Sequence, residues 1–379
     1  MSFQEELKKI EDRYYKKEWK QARQELKERL LSRPIVLYGL GFFGGVIVKN
    51  FANEGISVQC FCDSKKRGID AETGLKILSP QELTEQYSDA NIVISVANPS
   101  TEKSAYHTVL SLGFGKKQIF SFQDAYQFMR KSRVEQVSLT LEELREYLDG
   151  YARSYDSFAD ENSRKVILET INNYLFHQLF TYEPPQNSYF PEAFTLCENE
   201  IFIDGGLYTG DTTEKFIERM DGKYKRIIGF DIDEKNLAVA RENLKAKPGV
   251  EIIPKGLWNC TAVMDAELGI MAGSNVKEGA SAQVELTDLD SFFSQLPKED
   301  YPTFIKLDVE GSEKQALLGA EKIIREASPK LAVCAYHKPE DLYVLPELIK
   351  QLNPQYQFFL KHYSPYIWDT VLYAYREEN

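Results

Sequence analysis

Carboxylates fall at the ends of apolar runs in the second half of this 379-residue chain. Ile201-Phe-Ile closes on Asp204 and opens into Gly205-Gly206-Leu-Tyr208-Thr-Gly210-Asp211-Thr212. The run from Arg226 closes on Asp231. Thr303-Phe-Ile-Lys306-Leu closes on Asp308 and passes into Val-Glu310-Gly311-Ser-Glu313, and the run from Leu331 closes on Tyr336-His337. Short apolar runs alternating with helical patterns read as strands of a parallel sheet, whose ligands sit outside the carboxyl ends of the strands. The spacing thus gathers three carboxylates and a histidine on one edge, a set suited to proton transfer and to holding hydroxyls or a cationic ligand.

The turn after Asp204 has a definite electrostatic character. A carboxylate stands where a pyrophosphate-binding turn usually carries glycine, and Asp211 adds a second negative charge, so phosphate is repelled. A cationic ligand without phosphates fits better, and S-adenosylmethionine, with a sulfonium and an amino group, is one. Gly205, Gly206, Tyr208, Gly210, Asp211 and Thr212 are the expected cradle, with Asp231 accepting ribose hydroxyls. Lys306 and Asp308 share a strand face. A lysine inside an apolar strand needs a partner, which is Asp308 or Asp204. Asp308 or Glu310 is expected to face an acceptor, and His337 to serve as general base near neutral pH.

An earlier glycine loop, Gly39-Leu-Gly41-Phe-Phe-Gly44, lies between the strand candidate 34–39 and an apolar helical stretch. The three glycines serve a tight turn, close approach of a pyrophosphate and helix–strand packing, and Asp63 ends the next strand candidate, where it could bind ribose. A nucleotide or nucleotide-sugar ligand, a non-binding relic and nicotinamide chemistry all remain open. The run from Asp63 through Gly68 to Gly74-Leu-Lys-Ile-Leu-Ser-Pro80 resembles small nucleotide-binding domains that accompany sugar-modifying enzymes.

The elements that must position these residues form two α/β regions. Residues 1–32 read as one amphipathic helix ended by Pro34, either packed on the next domain or pairing two copies in a homodimer. Residues 33–124 read as a small Rossmann-like domain, with strands at 34–39, 58–63, 92–97 and 118–121. Residues 125–189 read as a helical connector, with a capping box at Thr140-x-x-Glu143 and a cap at Asp160. Residues 190–379 hold five parallel strands and a final pair, 357–361 and 370–375. Those two lie too close for a crossover helix and are therefore antiparallel.

Composition narrows the class. Hydrophobic residues make up 43% and charged residues 27%, a globular balance. The net charge of -12 offers no footprint for nucleic acid and disfavours an anionic membrane surface. The five scattered cysteines read as core thiols, and no apolar run reaches the ~18 residues of a membrane span. The charged N-terminus lacks a signal-peptide core, so a soluble, cytoplasmic protein is expected.

Together the residues resemble a known family. Asp204-Gly-Gly-x-x-x-Gly210-Asp-Thr, Phe230-Asp231, Thr287-x-Leu289-Asp290, Ile305-Lys-x-Asp308-Val-Glu310-Gly-x-Glu313, Ala316-Leu-x-Gly319-Ala, Tyr336-His337-Lys338 and Thr370-Val-Leu-Tyr373 are similar to the FkbM methyltransferases. The likeness covers about residues 190–379, with Asp231 where members often carry glutamate. It implies a seven-stranded sheet and methyl transfer from S-adenosylmethionine to an oxygen of a sugar, glycan or other small molecule. Asp308, His337, Glu310 and Lys306 are the catalytic candidates. A divalent metal held by Asp308 and Glu310 is the alternative means of activating the hydroxyl. The competing readings are an oxidoreductase using the first loop and a non-catalytic scaffold in a glycan-modifying complex.

Overall fold

The computed structural model describes residues 1–132, 135–185, 188–267, 275–276 and 282–376. It divides into two units: Met1–Glu143 with Asn172–Gln178, and Leu144–Ile171 with Leu179–Asn379.

In the first unit, the N-terminal stretch expected as one helix forms two, Phe3–Lys16 and Glu18–Leu31. Lys17 between them is left-handed, with φ 60°. The break serves packing: the Tyr14 and Trp19 rings lie 5.8 Å apart, and Trp19 meets Phe176 at 6.0 Å. Contacts among these rings, half-buried at Tyr14 and Trp19, accompany a non-glycine left-handed residue. The sheet consists of β1 Ile35–Tyr38, β2 Val58–Cys62, β3 Gly68–Ile69, β4 Lys76–Leu78, β5 Asn91–Ile94 and β6 Ile119–Phe120, in the order β3-β4-β2-β1-β5-β6. All neighbours run parallel except β3 against β4. The order reverses at β1, and the first glycine loop follows that strand.

The stretch expected as a separate connector is divided between the units. Phe122, Tyr126 and Phe128 are buried, the Tyr126 hydroxyl donates to Asn173 at 2.9 Å, and His177 Nε2 donates to the Met129 carbonyl at 2.7 Å. These contacts carry the first unit beyond residue 124. In the second unit, the helix Leu148–Ser157 packs on the helix Asp341–Leu352 through Tyr151 OH to Pro339 O (2.8 Å) and Ser154 Oγ to Leu342 O (2.6 Å). Both expected caps form: Thr140 and Glu143 bond reciprocally, and Asp160 accepts from the Ser163 amide.

The second unit's main sheet contains β7 Ile201–Gly205, β8 Arg226–Phe230, β9 Val250–Ile253, β14 Phe304–Leu307, β15 Lys330–Cys334, β16 Gln357–His362 and β17 Thr370–Tyr375. Its order is β16-β17-β15-β14-β7-β8-β9, parallel except for β17 against β15 and β16. This is the expected seven-stranded sheet with an antiparallel C-terminal pair. The edge strand β16 is covered: Ser163 Oγ accepts the Leu360 amide at 2.7 Å. A small sheet not foreseen from sequence joins β10 Gly256–Leu257, β11 Ala262–Glu267, β12 Asn275–Val276 and β13 Ala282–Thr287 in the order β10-β13-β11-β12. Among the described residues no helix is long and apolar enough to cross a membrane.

Candidate active site

Strand order in the main sheet reverses between β7 and β14, which places the ligand crevice at their carboxyl ends. Register sets Lys306 directly beside Asp204. The buried ammonium donates to Asp204 Oδ1 at 3.0 Å, Gly205 O at 3.1 Å and Gly206 O at 2.8 Å, which uses all three of its protons. Asp204 Oδ2 accepts from Thr213 at 2.7 Å. Burial pushes the Asp204 carboxyl up, opposed by Lys306. Burial alone would lower Lys306, but Asp204 and then Asp308 raise it well above the ordinary lysine range. These two residues hold the glycine turn from behind, and Lys306 has no proton left for an acceptor. Gly206, at φ +77°, is required there: a Cβ would lie 1.8 Å from the Asp308 carbonyl oxygen.

In front of the turn lies a cavity of about 310 Å³. Gly206, Tyr208, Asp211, Thr212, Lys306 and Asp308 all line it, as sequence spacing predicts. The lining residues that were not foreseen include Tyr189, Lys215, Tyr363 and Asp369. Tyr363 and Asp369 belong to the turn between β16 and β17. Val371 pairs with Cys334 at the end of β15, so an antiparallel final strand brings that turn to the ligand edge. The antiparallel pair was thus the available signal. Nothing in the spacing marks Tyr189. Among the described residues eight non-glycine residues have positive φ, and three of them, Tyr189 (70°), Tyr208 (53°) and Asp369 (71°), line this cavity. Such backbone strain concentrates where side chains must be aimed.

Asp308 is the acidic centre of the wall. Tyr189 OH donates to its Oδ2 at 2.9 Å and Tyr336 OH to its Oδ1 at 3.3 Å. Burial works to raise this carboxyl, but Lys306 and His337 prevail and hold it below the usual range. Burial, then the Asp308 charge, pushes the Tyr189 phenol well up, so it remains a donor.

Asp231 lies behind Tyr208. Its Oδ2 accepts the Tyr208 amide at 2.7 Å and its Oδ1 the Asp233 amide at 2.9 Å, leaving each oxygen a lone pair for a diol. The first unit repeats the design: Asp63 Oδ2 accepts the Leu40 amide at 2.9 Å. There, however, Oδ1 takes the amides of both Lys65 and Lys66, and Lys66 Nζ reaches the Leu40 carbonyl. A Cβ on Gly39 would strike Val96 and one on Gly44 would press Phe61, so these two glycines serve close packing, while Gly41 caps the helix Phe42–Asn53 in open space.

His337, the expected base, does not line the cavity. Its ring is enclosed, with Nδ1 3.0 Å from Glu313 Oε1 and Nε2 3.4 Å from Glu310 Oε2 and 3.6 Å from Asp308 Oδ1. Burial lowers its pKa, yet Glu313 and Glu310 together raise it well above the ordinary value. A ring that keeps its proton is poorly suited to accept another. Glu310 likewise faces this cluster and not the cavity.

Comparison with known proteins bears on this half of the chain. Residues 204–358 match the profile of the methyltransferase FkbM domain. The crystal structure of Methyltransferase FkbM from Methylobacillus flagellatus KT superposes with a TM-score of 0.64 at 23% identity, covering 93% of each chain. Aeropyrum pernix fibrillarin, solved with natively bound S-adenosyl-L-methionine, aligns at 13% identity over 48% of this chain and 69% of its own, with a TM-score of 0.31. A 55-residue segment is 47% identical to ribosomal RNA small subunit methyltransferase H of Kosmotoga olearia, spanning 14% of this chain and 18% of that protein.

Proposed function

From the methyltransferase FkbM domain that residues 204–358 carry, we propose that the second unit transfers a methyl group from S-adenosylmethionine to a hydroxyl oxygen of a sugar, glycan or nucleotide-sugar. The observation that carries this reading is the cavity at the ends of β7 and β14, lined by Gly206, Tyr208 and Asp211 of the glycine turn and by Asp308. The residues present fit the cofactor. Asp231 retains lone pairs for ribose hydroxyls, Asp211 offers a charge complementary to the cationic end, and Gly206 and Tyr208 line the cavity. Tyr189 and Tyr363 line the cavity, and aromatic side chains there suit a sugar.

Bound S-adenosylmethionine supplies a methyl group on a sulfonium, already a good leaving centre. The work left to the chain is alignment and proton handling. Ionised Asp308 accepts hydrogen bonds and donates none, so an acceptor hydroxyl at Oδ2 turns its proton to Asp308 and a lone pair outward. Asp308 takes that proton as the new O–C bond forms. Tyr189 and Tyr336 fix the carboxylate's orientation, and Lys306 and Asp204 hold the glycine turn.

Calorimetric titration with S-adenosylmethionine tests the reading. The wild-type chain binds, and Asp231→Ala weakens binding by roughly 10- to 100-fold, the loss expected for hydrogen bonds to an ionised acceptor. No binding at high micromolar concentration, or an Asp231→Ala variant equal to wild type, overturns it. Transfer of labelled methyl to a panel of nucleotide-sugars and free sugars then identifies the acceptor.

A further inference from the structure

The first unit holds a cavity apart from its glycine loop. It has a volume of about 500 Å³ and is lined by Arg29, Ser32, Arg33, Asn91, Lys117 and Gln118. Ser32 and Arg33 lead into β1, Asn91 begins β5 and Gln118 precedes β6. These strands run parallel, so the cavity lies at their amino ends, whereas the glycine loop follows the carboxyl end of β1. Every lining residue is polar. Three are cations and none is a carboxylate, in a chain whose net charge is -12.

The frame of the cavity suits an anion. The helix Glu18–Leu31 ends here, and a helix C-terminus carries partial negative charge that repels anions. That charge is covered. Asn91, 1% exposed, donates from Nδ2 to the Arg29 and Leu30 carbonyls, each at 2.9 Å, and Ser32 Oγ donates to the Arg29 carbonyl at 2.7 Å. Gln118 is held as well, its Nε2 donating to the Ala90 carbonyl at 3.1 Å and its Oε1 accepting the Gly115 amide at 3.0 Å. The cations are left to a ligand. The Arg29 guanidinium lies over the Phe120 ring, 5.2 Å from its centroid, which restrains the fork without using its protons. Among the described residues Arg29 and Lys117 have no carboxylate in salt-bridge range. Arg33 pairs with Asp89, whose side chain is 83% exposed, and so exposed a pair is weak enough to yield to a ligand.

We propose that this cavity binds the diphosphate group of a small molecule. Guanidinium forks match phosphate oxygens bidentately, and the Lys117 ammonium adds a point charge. A single carboxylate would leave most of the positive charge unanswered, whereas a diphosphate brings several negative charges over a span that three side chains can share. Binding here involves none of the residues assigned to methyl transfer, and it is measured without S-adenosylmethionine.

Calorimetric titration of the full-length chain with sodium pyrophosphate at low ionic strength tests this. One ion binds per chain, and added sodium chloride weakens it, because exposed charges are screened. Arg29→Gln and Lys117→Gln each weaken binding roughly 10-fold, the scale of a lost charge-assisted hydrogen bond. Both side chains are exposed, so folding is not at risk. Lys116→Gln removes the same charge from a neighbour outside the lining and leaves the affinity unchanged. Gly41→Val also leaves it unchanged, which separates this cavity from the glycine loop. A parallel titration with uridine diphosphate tells two sources apart: affinity at or above that of pyrophosphate assigns the diphosphate of an ester, and weaker binding assigns the free ion. Absence of saturable binding at low millimolar pyrophosphate, wild-type affinity in Arg29→Gln or Lys117→Gln, or an equal loss in Lys116→Gln or Gly41→Val overturns the proposal.

Discussion

Single buried side chains decide how the molecule responds to pH. His177, in the first unit, is enclosed, and burial holds its pKa near 4 against an ordinary 6.5. His362, in the second unit, is held near 3 for the same reason, its Nε2 donating to the Tyr366 carbonyl at 2.8 Å. A neutral ring that resists protonation binds fewer protons than the unfolded chain at mildly acid pH, so stability rises with pH. The contribution of His177 is complete above about pH 6.5 and is lost as the pH falls toward 4. From pH 7 to pH 5 it should cost about 2 kcal/mol. Urea unfolding at both pH values measures this, and His177→Gln, which keeps a donor for Met129, should show a flatter dependence. An unchanged slope in that variant would place the sensitivity elsewhere. The catalytic candidates divide in the same physical terms. Lys306 is saturated by Asp204 and the turn, and Asp204 is fully buried, whereas Asp308 lines the cavity.

Between elements, the decisive contact is the approach of the glycine turn to the end of β14. Gly206 has φ +77°, and its Cα faces the Asp308 carbonyl so closely that no side chain fits. Gly206→Ala should therefore force the turn away from β14, displace Asp308 and Tyr208 together, and abolish S-adenosylmethionine binding while far-ultraviolet dichroism remains native-like. Binding within threefold of wild type would show that the turn is more adaptable than its geometry implies. Element types were largely legible in the sequence. The strands of both main sheets are short apolar runs between helical patterns, and the capping boxes follow simple spacing rules. The small sheet of β10–β13 escaped because its first member is two residues long and its pairing joins distant segments. The helix break at Lys17 escaped because no glycine or proline marks it; it is imposed by packing of Tyr14, Trp19 and Phe176.

At the scale of the whole molecule, two sheets with the same glycine-loop logic differ in what remains available to a ligand. Asp63 accepts three backbone amides, and Asp231 accepts two. One S-adenosylmethionine per chain is thus expected, with no perturbation of nicotinamide fluorescence when the reduced dinucleotide is titrated, and Gly41→Val should leave the stoichiometry unchanged. Two sites per chain, or a nicotinamide response abolished by Gly41→Val, would give the first unit a ligand of its own. At the second unit's cavity, Asp211, Asp308 and Asp369 face Lys215 and Lys306, so the lining carries three carboxylates against two ammonium groups.

Residue types and their periodicity by themselves determined two α/β regions, the seven-stranded sheet with its antiparallel end, and which carboxylates stand at strand ends, because alternation and turn chemistry are local properties of the chain. Only the tertiary structure decided which of those groups face the cavity. Lys306 chose Asp204 through strand register, His337 turned inward toward Glu313, and Tyr189, Tyr363 and Asp369 arrived from distant loops. Side-chain direction at a strand end depends on what neighbouring strands offer as partners, and that is fixed by pairing between segments far apart in sequence.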